Sequence, residues 1–198
     1  MKTGKIKYLA TLALLVALML VFGFLPVGMI NVGVVYVTLL CLPVLIGTLT
    51  LGLKAGMILT LCFGTISFLT ALLKGASASV QLIMSRSVFY VALLCYLPRL
   101  LIPVVAWFVY QGLRVKNEKL ALMLGALLGS LTNTVLYLGS IIVLYLFLQI
   151  DSAAFLSALG GVVLFAGIPE AIVAMIVAMP VVTALQKAKL APAYETNK

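Results

Sequence analysis

The stretch from Gly160 to Lys189 reads GGVVLFAGIPEAIVAMIVAMPVVTALQKAK. A helix needs about 20 predominantly apolar residues to cross a bilayer, and this stretch provides them. It contains one acidic residue, Glu170, in the motif GIPEA. The other three acidic residues lie at segment ends: Glu118, Asp151 and Glu195. Because a carboxyl group is costly to hold within an apolar run, Glu170 marks a candidate functional site.

The composition excludes an ordinary soluble domain. Of the 198 residues, 65% are hydrophobic and 9% are charged, so a water-facing surface would itself be apolar. We therefore expect an all-α integral membrane protein, with residues 1–198 forming one six-helix membrane domain. The six transmembrane spans are expected at about 8–25, 34–51, 55–73, 97–113, 120–148 and 161–185.

The basic residues indicate topology and not nucleic-acid binding. The net charge is +9, but the Lys and Arg residues cluster at the ends of the predicted spans. Ten of them, from Lys2 to Lys198, fall on the side of both termini, and two, Lys74 and Arg86, fall on the other side. The positive-inside rule then predicts cytoplasmic termini in a multi-pass protein of the cell membrane.

The motifs of several enzyme classes are missing from the sequence. The chain has no histidine, which removes Ser-His catalysis and most zinc sites. It has no P-loop motif for cradling ATP phosphates, and its three cysteines are isolated in apolar runs. We expect no enzyme activity, no cofactor and no metal.

Three strongly polar residues lie inside three different predicted spans. Arg99, Asn133 and Glu170 lie about 22, 21 and 25 Å along their helices from the basic residues on the cytoplasmic side. The hydrocarbon core is about 30 Å thick, so the three side chains are expected at similar depth in its outer half. This agreement is typical of one shared site.

Two prolines lie beside these residues. Pro98 and Pro169 directly precede Arg99 and Glu170. Since proline is favoured at the first position of a helix, two helix N-termini are expected at this depth. Together with a guanidinium group, such positive ends suit an anion.

The fifth span carries a polar stripe, because Ser130, Asn133 and Tyr137 share one helical face. A stripe of this kind must face protein or a cavity instead of lipid. The candidate substrate-binding residues are therefore Arg99, Asn133, Tyr137, Glu170 and Ser130.

The residues alone leave plainer interpretations open. In the first, Glu170 only complements the dipole of its own helix. In the second, Arg99 only extends to the outer headgroups. In the third, the two side chains form an internal salt bridge in a structural or assembly membrane protein that transports nothing. The polar stripe of the fifth span would then serve hydrogen bonding between helices.

Small residues on two spans predict close helix packing. Ala13 and Ala17 lie one turn apart on the first span, and Ala10 adjoins them. This face suits either a partner protein or another helix of the chain. Gly125 and Gly129 have the same spacing on the fifth span, where packing within the chain is the better interpretation.

Four stretches, in their order and spacing, resemble the substrate-binding S components of energy-coupling factor (ECF) vitamin transporters, and in particular the pantothenate-type branch. They are LPVLIGTLTLGLKAGMILTLCFGTISFLTALL (42–73), LPRLLIPVVAWFVYQGL (97–113), GSLTNTVLYLG (129–139) and GIPEAIVAMIVAMPVVTALQK (167–187). The resemblance covers essentially the whole chain, and the third stretch is its most specific motif.

The resemblance implies a six-helix bundle in the plasma membrane of a prokaryote. Such S components bind a vitamin with outer loops and the outer halves of spans four to six. They associate with a transmembrane T component and two ABC-type ATPase subunits, which hydrolyse the ATP. An Ala-x-x-x-Ala face on the first span, matched here by Ala13 and Ala17, docks to the T component.

The resemblance also makes the loop Pro26–Gly33 a lid, which adds Asn31 to the candidate substrate-binding residues. The expected function is high-affinity binding of pantothenate or a related small anionic vitamin or precursor. The alternatives are an S component for a different vitamin and the non-transport protein described above.

Overall fold

A computed structural model of the chain describes residues 2–25, 29–31, 36–151, 153–188 and 190. Within this part, the chain forms eight α-helices, one π-helical segment and a short β-hairpin. The elements are α1 Lys2–Phe24, β1 Met29–Asn31, β2 Tyr36–Thr38, α2 Cys41–Leu51, α3 Leu53–Leu73, α4 Ala78–Met84, α5 Val88–Leu113, α6 Glu118–Phe147, α7 Ala153–Val162, a π-helix Val163–Gly167 and α8 Ile168–Lys187.

Among the described residues, five helical stretches are long and apolar enough to cross a membrane: Gly4–Phe24, Leu53–Leu73, Val88–Leu113, Glu118–Phe147 and Phe155–Lys187. The second predicted span differs from the other five. Its helical part, α2, has 11 residues, a length of about 16 Å. All 11 are buried among the other helices, so α2 packs inside the bundle.

The residues before α2 explain this shortening. Val37 and Thr38 are β-branched, and such residues favour extended structure. They belong to β2, which pairs antiparallel with β1 in the register Met29 to Thr38. The predicted lid Pro26–Gly33 falls largely outside the described residues, which include only the backbone of Met29–Asn31 from it.

The prediction that a helix begins at Pro98 is wrong. Pro98 lies inside α5, which begins ten residues earlier at Val88. Ser87 caps this earlier start, because its side chain accepts a hydrogen bond of 3.2 Å from the backbone N–H of Phe89. Prolines are tolerated inside membrane helices where other groups satisfy the freed backbone carbonyl.

The prediction of a free helix end at Pro169 is also wrong. Pro169 is in the first turn of α8, but Gly167 and Ile168 before it already have right-handed helical dihedral angles. The helix continues from the π-helix without a break, since the N–H of Ile168 bonds to the carbonyl of Val163. The amide groups near Pro169 are therefore not an exposed positive end.

The glycines of α6 pack against the other helices of the chain, as predicted. A Cβ atom at Gly125 would lie 3.0 Å from the carbonyl oxygen of Ala106. One at Gly129 would lie 3.0 Å from the Ala106 Cβ and 2.6 Å from a methyl group of Leu45. These glycines let α6 approach α5 and α2 closely, and this contact brings the polar face of α6 toward α5.

Two polar contacts define the two ends of the bundle. Lys74 Nζ donates to the Phe24 carbonyl at 2.7 Å, which joins the C-terminal ends of α3 and α1. Gln186 Nε2 donates to Glu118 Oε1 at 3.2 Å, which joins the end of α8 to the start of α6. We call the end of the bundle that holds Lys74 the α4 end, because α4 begins four residues after Lys74.

Candidate ligand-binding site

A cavity that is partly open to the outside lies between α3, α5, α6 and the last helical stretch, which runs from α7 to α8. The segment from Gly75 to Val80, which includes the start of α4, covers one side of it. Four of the six predicted substrate-binding residues line this one cavity: Arg99, Asn133, Tyr137 and Glu170. Three helices thus bring the polar residues of the three predicted spans together.

Arg99 is almost fully buried, at 5% exposure, and several contacts hold its guanidinium group. Its Nη1 atom donates to the backbone carbonyls of Leu94 and Cys95, each at 2.9 Å. Its guanidinium carbon lies 4.6 Å from the ring centre of Phe63 and 5.2 Å from that of Tyr137. The cation is therefore held by carbonyl oxygens of its own helix and between two aromatic faces, which attract a cation electrostatically.

Arg99 retains an unused donor. Its Nε atom is buried and has no hydrogen-bond partner in the described part of the chain. Leaving a buried donor unpaired costs about 1–3 kcal/mol. An anionic group of a ligand beside Arg99 would satisfy this donor and offset the positive charge.

Asn133 and Glu170 present unused acceptors. Asn133 is 8% exposed, and its Oδ1 atom has no partner among the described residues. Glu170 is half-buried, and its Oε1 atom is likewise buried and unpaired. A ligand with hydroxyl or amide N–H groups would donate to both oxygen atoms.

Arg99 and Glu170 do not form the internal salt bridge considered above. Within the described residues, the hydrogen bonds of Arg99 go to backbone carbonyls, and Oε1 of Glu170 is unpaired. Both residues line the same cavity.

Of the other two predicted residues, Ser130 is not in the cavity wall, and the side chain of Asn31 is not described. Ser130 is fully buried, 0% exposed, beside the thiol of Cys41, and it is not among the lining residues. The backbone of Asn31 belongs to β1, whereas its side chain lies outside the described residues.

Sequence reasoning missed a polar wall on the opposite side of the cavity. It consists of Ser67, Thr70 and Ser77, on α3 and just before α4. The signal for the first two was present, since residues three apart on an apolar helix share a face. Ser77 lies between helices, where no periodicity marks a buried side chain.

One glycine sets the distance between α8 and α6. A Cβ atom at Gly167 would lie 2.6 Å from the Cγ2 methyl of Thr134, closer than real contacts allow. Both residues line the cavity. The absence of a side chain at Gly167 therefore lets the helix that carries Glu170 approach the helix that carries Asn133.

The alanine face of α1 points away from the bundle. Ala10, Ala13 and Ala17 are all exposed. The opposite face of α1 is buried, with Leu15 at 5% and Met19 at 0% exposure. The described helices of this chain therefore leave the alanine face uncovered.

Comparison with known proteins identifies the family. The family profile for the "ECF transporter, substrate-specific component" matches residues 7–182. The pantothenic acid transporter PanT of Lactococcus lactis subsp. cremoris (strain MG1363) is 34% identical to this chain over an alignment of 198 positions. The alignment covers 96% of this chain and 98% of that protein. The resemblance described from the sequence motifs is thus confirmed at the level of the family. The chain belongs to the substrate-specific components of ECF transporters, and it is a multi-pass membrane protein that serves transport and is not an enzyme.

Proposed function

We propose that this chain is the high-affinity pantothenate-binding subunit of an ATP-driven ECF importer. The observation that carries the proposal is that Arg99, Asn133 and Glu170 line one cavity and each has a buried polar atom without a partner in the described structure. A buried polar atom that stays unpaired costs about 1–3 kcal/mol, so each of the three atoms favours a ligand that pairs with it. A ligand that pairs with all three removes this cost.

Pantothenate has the complementary groups. Its carboxylate would accept a hydrogen bond from Arg99, and its amide N–H and hydroxyl groups would donate to Asn133 and Glu170. Tyr137, whose ring packs on the guanidinium, would close the side of the cavity near α6. The similarity to a pantothenic acid transporter along almost the whole chain supports the same substrate.

The proposal includes the partners of the transporter. The chain has no P-loop motif for ATP, so energy would come from two ABC-type ATPase subunits, joined through a transmembrane T component. The exposed face of Ala10, Ala13 and Ala17 is the proposed docking surface for the T component, because small residues allow a partner helix to approach closely.

The proposed setting is the plasma membrane of a prokaryote, with residues 1–198 forming one membrane domain. The short buried helix α2 would supply the second of six spans together with the chain that precedes it. Both termini would be cytoplasmic, in accord with the excess of Lys and Arg at that end. The cavity, near the α4 end, would then open to the outside, with Pro26–Gly33 as its lid.

A ligand panel on the purified protein tests the substrate. Unfolding temperature is measured with each of several water-soluble vitamins, because a specific ligand stabilises the folded state by mass action. We expect stabilisation by pantothenate at micromolar or lower concentration and none by the others. If a different vitamin alone stabilised the protein, that vitamin would replace pantothenate as the proposed substrate. If no vitamin stabilised the protein, the result would favour a non-transport role.

A further inference from the structure

We propose that Ser67 and Ser77 form a second polar subsite, at the α4 end of the cavity, which hydrogen-bonds the hydroxyl groups of the ligand. The inference rests on the proposed function for the identity of that ligand. It extends the binding site to α3, the third predicted span, which the resemblance did not include.

Both serines are buried without using their hydroxyl groups. Ser67 is 8% exposed and Ser77 is 2% exposed, and both line the cavity. Neither Oγ atom has a hydrogen-bond partner within the described residues. Because unpaired buried hydroxyls are unfavourable, groups that line a cavity in this state indicate a ligand that pairs with them.

Two other hydroxyl groups of α3 are paired. Thr65 and Thr70 each donate to the backbone carbonyl four residues earlier, at 2.9 and 2.7 Å. This is the usual arrangement in an apolar helix. The hydroxyl of Thr60 on the same helix has no partner among the described residues, but Thr60 does not line the cavity. For Ser67, the corresponding acceptor is the carbonyl of Phe63, and the hydroxyl does not use it. Its donor and its lone pairs are both available to the cavity.

The positions of the serines suit an elongated ligand. Ser67 lies one helical turn beyond Phe63, whose ring packs on Arg99, and one turn rises about 5.4 Å. Ser77 follows the end of α3 and directly precedes α4. The polar wall therefore begins beside the guanidinium and continues toward the α4 end, so an extended molecule reaches both regions.

The chemistry of the two regions differs. Arg99 suits an anion, whereas serine hydroxyls both donate and accept and so recognise neutral hydroxyl groups. Pantothenate has a carboxylate at one end and two hydroxyls toward the other. We infer that the carboxylate occupies the Arg99 region and that the hydroxyls, whose protons would serve the acceptors Asn133 and Glu170, accept hydrogen bonds from Ser67 and Ser77.

The test compares two ligands on matched variants of the full chain. The ligands are pantothenate and its deoxy analogue, in which both hydroxyls are replaced by hydrogen. The variants are Ser67→Ala, Ser77→Ala and the double variant. The control is Thr132→Val, because the hydroxyl of Thr132 is paired with the carbonyl of Leu128 and Thr132 is not among the residues that line the cavity. Binding is measured by calorimetry, and the unfolding temperature of each ligand-free variant verifies its folding.

We expect each single variant to weaken pantothenate binding about 3- to 10-fold, the range of one hydrogen bond. The deoxy analogue is expected to bind all variants equally, and Thr132→Val is expected to bind both ligands like the unchanged protein. Equal losses of affinity for the two ligands, or no loss of affinity for pantothenate, would overturn the proposed subsite but not the assignment of pantothenate as the substrate. Absence of pantothenate binding to the unchanged protein would overturn the proposed function and the subsite together.

Discussion

Arg99 donates a hydrogen bond of 2.9 Å to the carbonyl of Leu94, and that carbonyl is the one deprived of a helical donor by Pro98. In an α-helix, the carbonyl of residue 94 accepts from the N–H of residue 98, but proline has no N–H. The guanidinium supplies the missing donor. Pro98 therefore acts on the site by exposing a carbonyl that holds Arg99, and not by beginning a helix.

The first prediction concerns this proline. Pro98→Ala returns an N–H to the helix, which then competes with Arg99 for the Leu94 carbonyl. We expect pantothenate affinity to fall about 3- to 10-fold, equivalent to one hydrogen bond of positioning, while the unfolding temperature stays the same or rises. Calorimetry and thermal unfolding measure the two quantities.

Pro180→Ala is the matched control, because Pro180 also lies inside a helix but is exposed and outside the cavity lining. It is expected to leave affinity unchanged. Equal affinity losses for the two proline variants would show that the role assigned to Pro98 is wrong.

The second prediction concerns the charge of Arg99 itself. Arg99→Gln should weaken pantothenate binding by about 30-fold or more, since removing one partner of a buried charged pair costs about 2–5 kcal/mol. The measurement is a dissociation constant for pantothenate and for its neutral amide analogue. The affinity for the amide analogue is expected to fall much less, because this analogue has no carboxylate to pair with the guanidinium. A variant that binds pantothenate like the unchanged protein would rule out an anion-binding role.

The third prediction separates ligand binding from structural pairing at Glu170. Glu170→Gln keeps an acceptor oxygen, so we expect pantothenate affinity to change by less than about threefold and Glu170→Leu to lower it by about tenfold. Neither change should lower the unfolding temperature of the ligand-free protein, because Glu170 has no ion pair in the described structure. A large drop in that temperature for Glu170→Gln would instead support the internal salt bridge.

The burial of polar groups was the most reliable guide to the site. Arg99, Asn133 and Glu170 are far apart in sequence, but each lies within an apolar helix and must avoid lipid. That requirement, with the rise per residue, was enough to predict that they meet. It did not separate the lining residue Asn133 from Ser130, which belongs to the same polar stripe but is buried beside Cys41 outside the cavity wall.

The local signals were less reliable. Proline predicted helix starts at Pro98 and Pro169 because its missing N–H costs nothing there. At Pro98, the neighbouring Arg99 side chain instead satisfies the freed carbonyl. At Pro169, the helix continues from the preceding π-helix. The shortening of the second span had a signal in β-branched Val37 and Thr38. Overall hydrophobicity concealed it, since an apolar strand and an apolar helix have the same composition.

The fourth prediction concerns the contact between α8 and α6. Gly167→Ala would place a methyl group against Thr134 Cγ2, and overpacking of this kind costs about 1–3 kcal/mol. We expect lower thermal stability and weaker pantothenate binding, because Glu170 moves away from Asn133. The double variant Gly167→Ala with Thr134→Ser removes the clashing methyl and should recover most of both losses. If the second change rescued neither, the close approach would not be what Gly167 provides.

The fifth prediction concerns the exposed face of α1. Ala13→Trp places a large side chain where small residues allow a partner helix to approach, on the side of α1 opposite the buried Leu15 and Met19. Pantothenate binding to the purified chain should therefore remain unchanged. Co-purification with the T component and ATPase subunits, and pantothenate uptake by cells, should both be lost. Ile176→Trp is the control, since Ile176 is 61% exposed on a different helix, α8, and should retain uptake. Normal uptake by Ala13→Trp would place the docking surface elsewhere, whereas loss of binding would mean that the tryptophan acts through the fold of the chain itself.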